Sequence, residues 1–558
     1  MGFFARLFGK KPQAETETPP PNEAAAPDEA QTRADALIAE GNALKETGQI
    51  EAALGKYQQA LDAAPGYWRA FLNLGIGHDL QKNTRESLHM LRQAHALNPQ
   101  THVTCYNLGR ALVQAGEFAQ AIAPLEQALV LKPGFFDALI VLAEARENNG
   151  QPNEALQLLD QALMLQPGHP GALRNKAFLL KDEYPDMAEE ILEKLVDTAP
   201  DVLTGYAQLL LARGEAEPAV QFHQHAFEHA QDAASLGALL MATCYAANTD
   251  NAQLLAWHRK INPLLDKTGQ YTHEYPQKWL AKNEKIRVKF ISPDFRRHPV
   301  AYFAESLLEN IDKEKFDVFL YYSHHTQDDL TGKFKSLAPH WREISDLNAR
   351  DAARQIAEDQ IEILIDLAGH TAENRRDVMA LKPAPIQATW LGYIATTGLD
   401  EMDFRIANEV SDPPGMTESQ HAETLMRLPA PYTQWCYKPQ PDTPPVVPLP
   451  ALKNDHITFG SFNQCAKLSE PCLAMWAQLM QQMPGSRIRF MAIAEGRARR
   501  RISDFFARHG ITSERLAFAP RVPWNQYFDS FGQVDIALDS WPYTGAAKIG
   551  RASCRERV

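Results

Sequence analysis

His298 and Asp294, four residues apart in SPDFRRHPVAYF (292–303), are side chains whose types suit proton transfer. An imidazole titrates at about 6.5, so near neutral pH it can take up or release a proton. The segment follows an apolar run that reads as a strand, where a strand-to-helix loop faces a cleft. The plainer reading is a loop histidine that only packs or hydrogen-bonds. His370 and Arg375 in GHTAENRR (369–376) fall at another strand end and either line the same cleft or sit in a solvated loop. Lys467 in FNQCAK (462–467) is a cation, or else a solvated lysine at a helix start. The six cysteines, at 105, 244, 436, 465, 472 and 554, form no CxxC and show no metal-ligand spacing. In a chain this long they read as reduced thiols.

The elements that must position these groups come in two series. IRVKFIS (286–292), FDVFLYYS (316–323), IEILIDLAG (361–369) and PIQATWLGY (385–393) read as buried strands separated by helical segments. A proline-dense stretch marks a linker over 431–455. HITFGSF (456–462), RIRFMAI (487–493), LAFAP (516–520) and VDIALD (534–539) then form a second series. Alternation of this kind implies parallel sheets with crossover helices. Two such domains, 285–430 and 456–547, would leave a cleft at the carboxyl ends of their strands.

The first half has another period. Pro65, Pro99, Pro133 and Pro167 are 34 residues apart, and Pro200 follows after 33. In a 34-residue frame from Ala34, positions 8, 20, 24 and 27 hold Gly41, Ala53, Tyr57 and Ala60, then Gly75, Ser87, Leu91 and Ala94. The third unit has Gly109, Ala121, Leu125 and Ala128, and the fourth Ala143, Ala155, Leu159 and Ala162. These are the small and knob positions of tetratricopeptide repeats: helices cross closely only at small side chains, and the proline stops the second helix. The array covers 34–201, with a less regular fifth unit, and 202–284 is a helical continuation and linker. Its groove suits extended protein or peptide partners, although bare scaffolding would have the same sequence. Residues 1–33 read as a disordered tail, in which MGFFARLFGKK could touch a membrane surface only through a helix too short to be stable in water.

The 558 residues carry a net charge of −13 and 45% hydrophobic residues. That balance disfavours nucleic acid as a partner. With no 18-residue apolar run and no signal-peptide pattern, the chain is expected to lack a transmembrane segment and to be cytoplasmic.

Blocks 292–303, 381–398, 459–480 and 534–543, in this order after the repeats, resemble the protein O-linked N-acetylglucosamine transferase and Spindly family. The resemblance implies an α-solenoid followed by an α/β two-lobed glycosyltransferase-B fold of two Rossmann-like domains, the second incomplete. It also implies an inverting, metal-independent transfer from a nucleotide sugar, UDP-N-acetylglucosamine or a related donor, to Ser or Thr of intracellular proteins. No cofactor beyond this co-substrate is implied. By the same resemblance Lys467 faces the diphosphate and Gln464, Leu391, Gly392 and Pro299 contact the donor. His298 is a candidate proton acceptor, Asp294 its relay, and His258 in LLAWHRK a further histidine of the site.

Two departures stand out. Some members carry basic or histidine side chains where this chain has Trp524, Tyr527 and Ser530, which bears on nucleotide recognition. After PY the family continues into a Gly/Thr-rich loop and helix, whereas here residues 548–558 read as a translated sequencing adapter. The donor alternatives therefore stay open: O-fucosyl transfer from GDP-fucose, or a non-enzymatic repeat adaptor, against which intact Lys467, Gln464 and His298 argue. The genomic reading frame is expected to continue from about Ala547 into a Gly/Thr-rich loop. A stop codon directly after Val558 in independently prepared genomic DNA would contradict the adapter reading.

Overall fold

The computed structural model describes residues 29–545, apart from 82, 182, 198–199, 274–284, 430–446, 494, 523 and 528. The expected tail up to residue 28, most of the proline-rich linker and the 548–558 segment lie outside the described residues. The first helix begins at Glu29, five positions ahead of the expected repeat start. The chain divides into two compact units at Gly205.

The first unit is a series of paired helices. Glu29–Glu46 pairs with Ile50–Ala63, Trp68–Leu80 with Thr84–Leu97, His102–Gln114 with Phe118–Leu131, and Phe136–Asn148 with Pro152–Leu165. The pair Pro170–Leu180 and Pro185–Glu193 is shorter. The repeat frame explains the packing atom by atom. A β-carbon on Gly41 would strike the Tyr57 ring, one on Gly75 the Leu91 side chain, and one on Gly109 the Leu125 side chain. In the fourth repeat Ala143 and Leu159 share one core cluster. The position-27 residues Ala60, Ala94, Ala128 and Ala162 are all fully buried. Each close crossing thus rests on one small residue facing one knob.

The second unit holds two wholly parallel sheets. The first contains β1 (Ile286–Ser292), β2 (Phe316–Tyr322), β3 (His340–Glu343), β4 (Ile363–Asp366), β5 (Ile386–Thr389), β6 (Phe404–Asn408) and β7 (Thr424–Leu428), in the order β3-β2-β1-β4-β5-β6-β7. The second contains β8 (Thr458–Ser461), β9 (Arg487–Met491), β10 (Leu516–Ala519) and β11 (Ile536–Ala537), in the order β10-β9-β8-β11. Side chains alternate across the first sheet. Val318, Leu320 and Tyr322 join one core with Phe303, Leu308 and Phe334, while Phe319 and Tyr321 join the other with Ile356, Val378 and Met379. Burial on both faces is what makes these strands continuously apolar.

The segment expected to be a helical continuation and linker forms the helices Ala216–Ala230, Ala233–Tyr245 and Asn251–Arg259, and it also packs on the first sheet, with Leu236, Leu239, Leu240 and Ile261 buried in that core. The run LGALLMATC (236–244) is too apolar to span solvent, and the sheet covers it. The strand expected over 385–393 ends at Thr389, because Leu391 takes a φ of +65°, outside the extended region. No helix among the described residues is long and apolar enough to cross a membrane.

Gly109→Val should destabilise the repeats by about 1–3 kcal/mol, because the added volume meets Leu125. Gly55 lies inside a helix with nothing within 4 Å of its missing β-carbon, so Gly55→Ala should stabilise by about 0.5–1 kcal/mol. Thermal denaturation of the two variants would show opposite shifts.

Candidate active site

In each sheet the strand order reverses direction beside one strand. β1 lies between β2 and β4, and β8 between β9 and β11. In open parallel sheets ligands bind at the carboxyl ends of the strands flanking such a switch point. The candidate residues fall there.

β1 runs into Pro293, and the Asp294 amide donates to Ser292 Oγ at 3.0 Å, turning the chain. Helix Pro299–Asn310 starts on the exposed Pro299, whose fixed φ suits a first helical position. His298 is its N-cap, with Nδ1 accepting from the Val300 amide at 3.4 Å. The same Nδ1 lies 3.3 Å from Asp294 Oδ2, so amide and carboxyl compete for one nitrogen. No residue among those described is hydrogen-bonded to Nε2. Burial, then Arg296, lowers the His298 pKa to about 4. Burial raises the Asp294 carboxyl to about 6, against Arg296 and with Asp366 adding to the rise. The imidazole is therefore neutral at pH 7, below its ordinary basicity.

At β8 the chain turns at the exposed Gln464 into the short 3-10 turn Cys465–Lys467. Ser469 then caps helix Glu470–Gln482, accepting from the Cys472 amide at 3.3 Å, and its hydroxyl donates to the Trp541 carbonyl at 2.6 Å. The segment after β11 folds back over this turn. Asp539 Oδ1 accepts from the amides of Ser540 and Gly545 at 2.9 and 2.7 Å. Lys467 Nζ donates to the Thr544 carbonyl at 2.8 Å and lies 4.1 Å from the centre of the Tyr543 ring. Burial lowers the ammonium pKa to about 8, with Asp539 opposing the shift. Lys467 makes no ion pair among the described residues. Nor does a hydrogen bond or ion pair among them join Lys467 to His298.

The other candidates have different surroundings. Gly392 does give its backbone a close approach, but to the carbonyl of Leu367 beyond β4, where a β-carbon has no room. Leu391 is buried beside it. Arg375 neither lines a cleft nor sits in solvent. Its guanidinium donates to the carbonyls of Ile344 and Leu347 at 2.8 and 3.1 Å and pairs with Asp377, tying the loop after β3 to the start of helix Arg376–Met379. His370 is buried, with Nε2–H donating to the Thr397 carbonyl at 2.7 Å and Nδ1 accepting from Arg376.

His258 is fully buried, which places it outside direct contact with a substrate in this conformation. Nδ1–H donates to the Leu254 carbonyl at 2.7 Å, and Nε2 accepts from the Tyr393 hydroxyl at 2.7 Å. The rings of His258, His370 and Tyr393 pack with centroids 5.1–5.7 Å apart. His258 thus positions the loop after β5. Asp366, Tyr393, Arg376, Asn463, Asp539 and Tyr543 also belong to the two strand-end clusters, although no motif singled them out. The available signal was their place just beyond a strand at a reversal of strand order.

Burial lowers the pKa of His258 to about 4 and that of His370 well below its ordinary value. Each histidine is lowered relative to the unfolded value of about 6.5, so its stabilising contribution is present above 6.5 and is lost as pH falls towards 4. Each histidine that must lose its proton on folding costs up to about 1.4 kcal/mol per pH unit in that window. The melting temperature should fall between pH 7 and pH 5, and fall less in His258→Gln. Equal falls in both proteins would remove His258 from this linkage.

Residues 253–434 match the model of glycosyl transferase family 41, and residues 38–99 and 112–176 match tetratricopeptide repeat models. The chain is 36% identical over 288 residues to the probable UDP-N-acetylglucosamine-peptide N-acetylglucosaminyltransferase SPINDLY of Arabidopsis thaliana, covering 50% of this chain and 31% of that relative. To the protein of the same description named SEC, also of Arabidopsis thaliana, it is 27% identical over 267 residues, covering 46% of this chain and 27% of that one. The match thus spans about a third of the length of these curated relatives. A solved mutant O-GlcNAc transferase of Thermobaculum terrenum shares the fold, with a TM-score of 0.56 and 22% identity over 93% of this chain and 80% of that one. The chain thus has regions that match tetratricopeptide repeat models, followed by a region that matches the model of glycosyl transferase family 41.

Proposed function

We propose that the protein transfers N-acetylglucosamine from UDP-N-acetylglucosamine to Ser and Thr hydroxyls of intracellular proteins that dock along its repeats. The observation that carries the reading is the half-buried Lys467 ammonium at the β8/β11 switch point, whose contacts are a carbonyl and an aromatic ring and include no ion pair among the described residues. A cation held this way has charge to give to an anion. As the glycosidic bond breaks, negative charge develops on the leaving diphosphate, and Lys467 neutralises it where a divalent metal would otherwise serve. Gln464, exposed on the same turn, contacts the donor beside it. The names of the relatives from Arabidopsis thaliana support the donor.

The acceptor hydroxyl must lose its proton as it attacks. In the tautomer that protonates Nδ1, where the Asp294 carboxylate at 3.3 Å replaces the Val300 amide as its partner, His298 presents the lone pair of Nε2 outward as the acceptor. Asp294 holds the ring and stabilises the imidazolium once it forms. Leu391, Gly392 and Pro299 shape the donor side of the first sheet's strand ends, and His258 acts behind them through Tyr393.

In a transfer assay on a protein acceptor, Lys467→Ala should lower turnover about tenfold to a hundredfold, a loss of about 1.4–2.7 kcal/mol. His298→Ala should slow transfer while leaving UDP binding intact. Near-normal rates for both variants, with UDP-N-acetylglucosamine and GDP-fucose each supplied, would overturn the assignment.

A further inference from the structure

The turn that bears Lys467 is held from two directions by the helical segment preceding β1. On one side, Tyr543 stacks on Tyr245, the last residue of helix Ala233–Tyr245, with ring centroids 4.6 Å apart and planes 17° apart. The Lys467 ammonium lies over the same Tyr543 ring, 4.1 Å from its centre. Tyr245, Tyr543 and Lys467 therefore form one consecutive set of contacts running from a helix to the candidate cation.

On the other side, the turn at Gly214 lies against the backbone of the Lys467 turn. Gly214 has a φ of +87°, and a β-carbon there would meet the Cys465 carbonyl at 2.7 Å, an Arg501 nitrogen at 2.8 Å and the Leu468 carbonyl at 3.4 Å. Arg501 bridges the two backbones. One guanidinium nitrogen donates to the Arg213 carbonyl at 3.4 Å and the other to the Leu468 carbonyl at 3.2 Å. The Leu468 carbonyl is thus tied through Arg501 to the Gly214 turn, and the Cys465 carbonyl lies against that turn.

We infer that Tyr245 and Arg501 are positioning residues for the Lys467 ammonium, so that the helical segment preceding β1 sets where this charge sits at the carboxyl ends of β8 and β11. The inference rests on the proposed function for its catalytic meaning but not for its geometry. An ammonium whose direct contacts are a carbonyl and a ring face is held weakly by its own partners. Its position then depends on where that ring and that backbone are anchored. A small displacement of a charge aimed at a developing oxyanion costs rate out of proportion to its size.

Lys467 can be read directly by NMR titration of labelled lysines in the full chain. Its ammonium faces Asp539, the Thr544 carbonyl and the Tyr543 ring, and burial holds its pKa at about 8. Tyr245→Leu should release the Tyr543 ring and move the Lys467 midpoint up towards the ordinary value of about 10.4. Tyr245→Phe, which keeps a ring to stack on, should retain the lowered midpoint. In the transfer assay Tyr245→Leu should raise the donor KM several-fold with the acceptor KM unchanged. Should Tyr245→Leu fail to fold, Arg501→Lys, which keeps the charge but loses the forked donor, should show the same upward move in smaller measure. An unchanged Lys467 midpoint in folded Tyr245→Leu, or in folded Arg501→Lys when the former does not fold, would overturn the inference. If the wild-type chain transfers no sugar, the functional reading fails, and the titration still decides this one.

Discussion

An ammonium half-removed from water without a neighbouring anion in contact is the constraint on which the site depends. Desolvation disfavours the charged form, and at Lys467 a carbonyl, a ring face and the field of Asp539 only partly offset it. The arrangement is costly to the fold and becomes favourable when an anion arrives. The backbone around it is accordingly well determined, with Ser469, Trp541, Asp539 and Gly545 closing the loops of β8 and β11 onto each other.

The opposite cluster follows a different rule. At the carboxyl ends of β1, β4 and β5, many buried polar groups are hydrogen-bonded, although Trp390 Nε1 and Arg405 Nε have no partner among the described residues. Asp366 accepts from the amides of Ala368 and Gly369, and Glu423 accepts from Thr396 and Thr397. Arg405 donates to the carbonyls of Tyr393 and Ala395 at 3.0 and 2.8 Å. His258 and His370 complete this network with both ring nitrogens engaged. Such networks fix loops rigidly because any broken member leaves an unpaired buried group. Against that frame His298 stands out, half-exposed and with its outer nitrogen uncommitted among the described residues.

The sequence made some of this legible. The repeats were readable because a crossing of two helices imposes small residues at fixed spacing, and Gly41, Gly75 and Gly109 each face the knob that the frame assigns. His298 was readable as a strand-end residue because an apolar run precedes it, and Lys467 through the family block that contains it. β3, HWRE, was missed because an edge strand of half-exposed residues carries no apolar run, and β6 and β7 were missed because FRIAN and TLMRL are short and interrupted by arginine. The role expected of His258 met a property that local sequence does not encode, since its burial comes from Tyr393 and Gly398, far along the chain. Gly392 was readable through the family block alone, and the approach that requires a glycine there, to the Leu367 carbonyl, is set by the tertiary fold. The Tyr245–Tyr543 stack was invisible for the same reason as the His258 contact, as it joins elements that only the tertiary fold brings together.

The central claim is that the Lys467 ammonium is the receptor for a diphosphate. A crystal structure of the chain with UDP bound tests it most directly. The account predicts a phosphate oxygen at about 2.7–3.0 Å from Lys467 Nζ, replacing or sharing the Thr544 carbonyl, at the carboxyl ends of β8 and β11. An ordered UDP whose phosphates lie elsewhere, with Lys467 still donating only to Thr544, would contradict it.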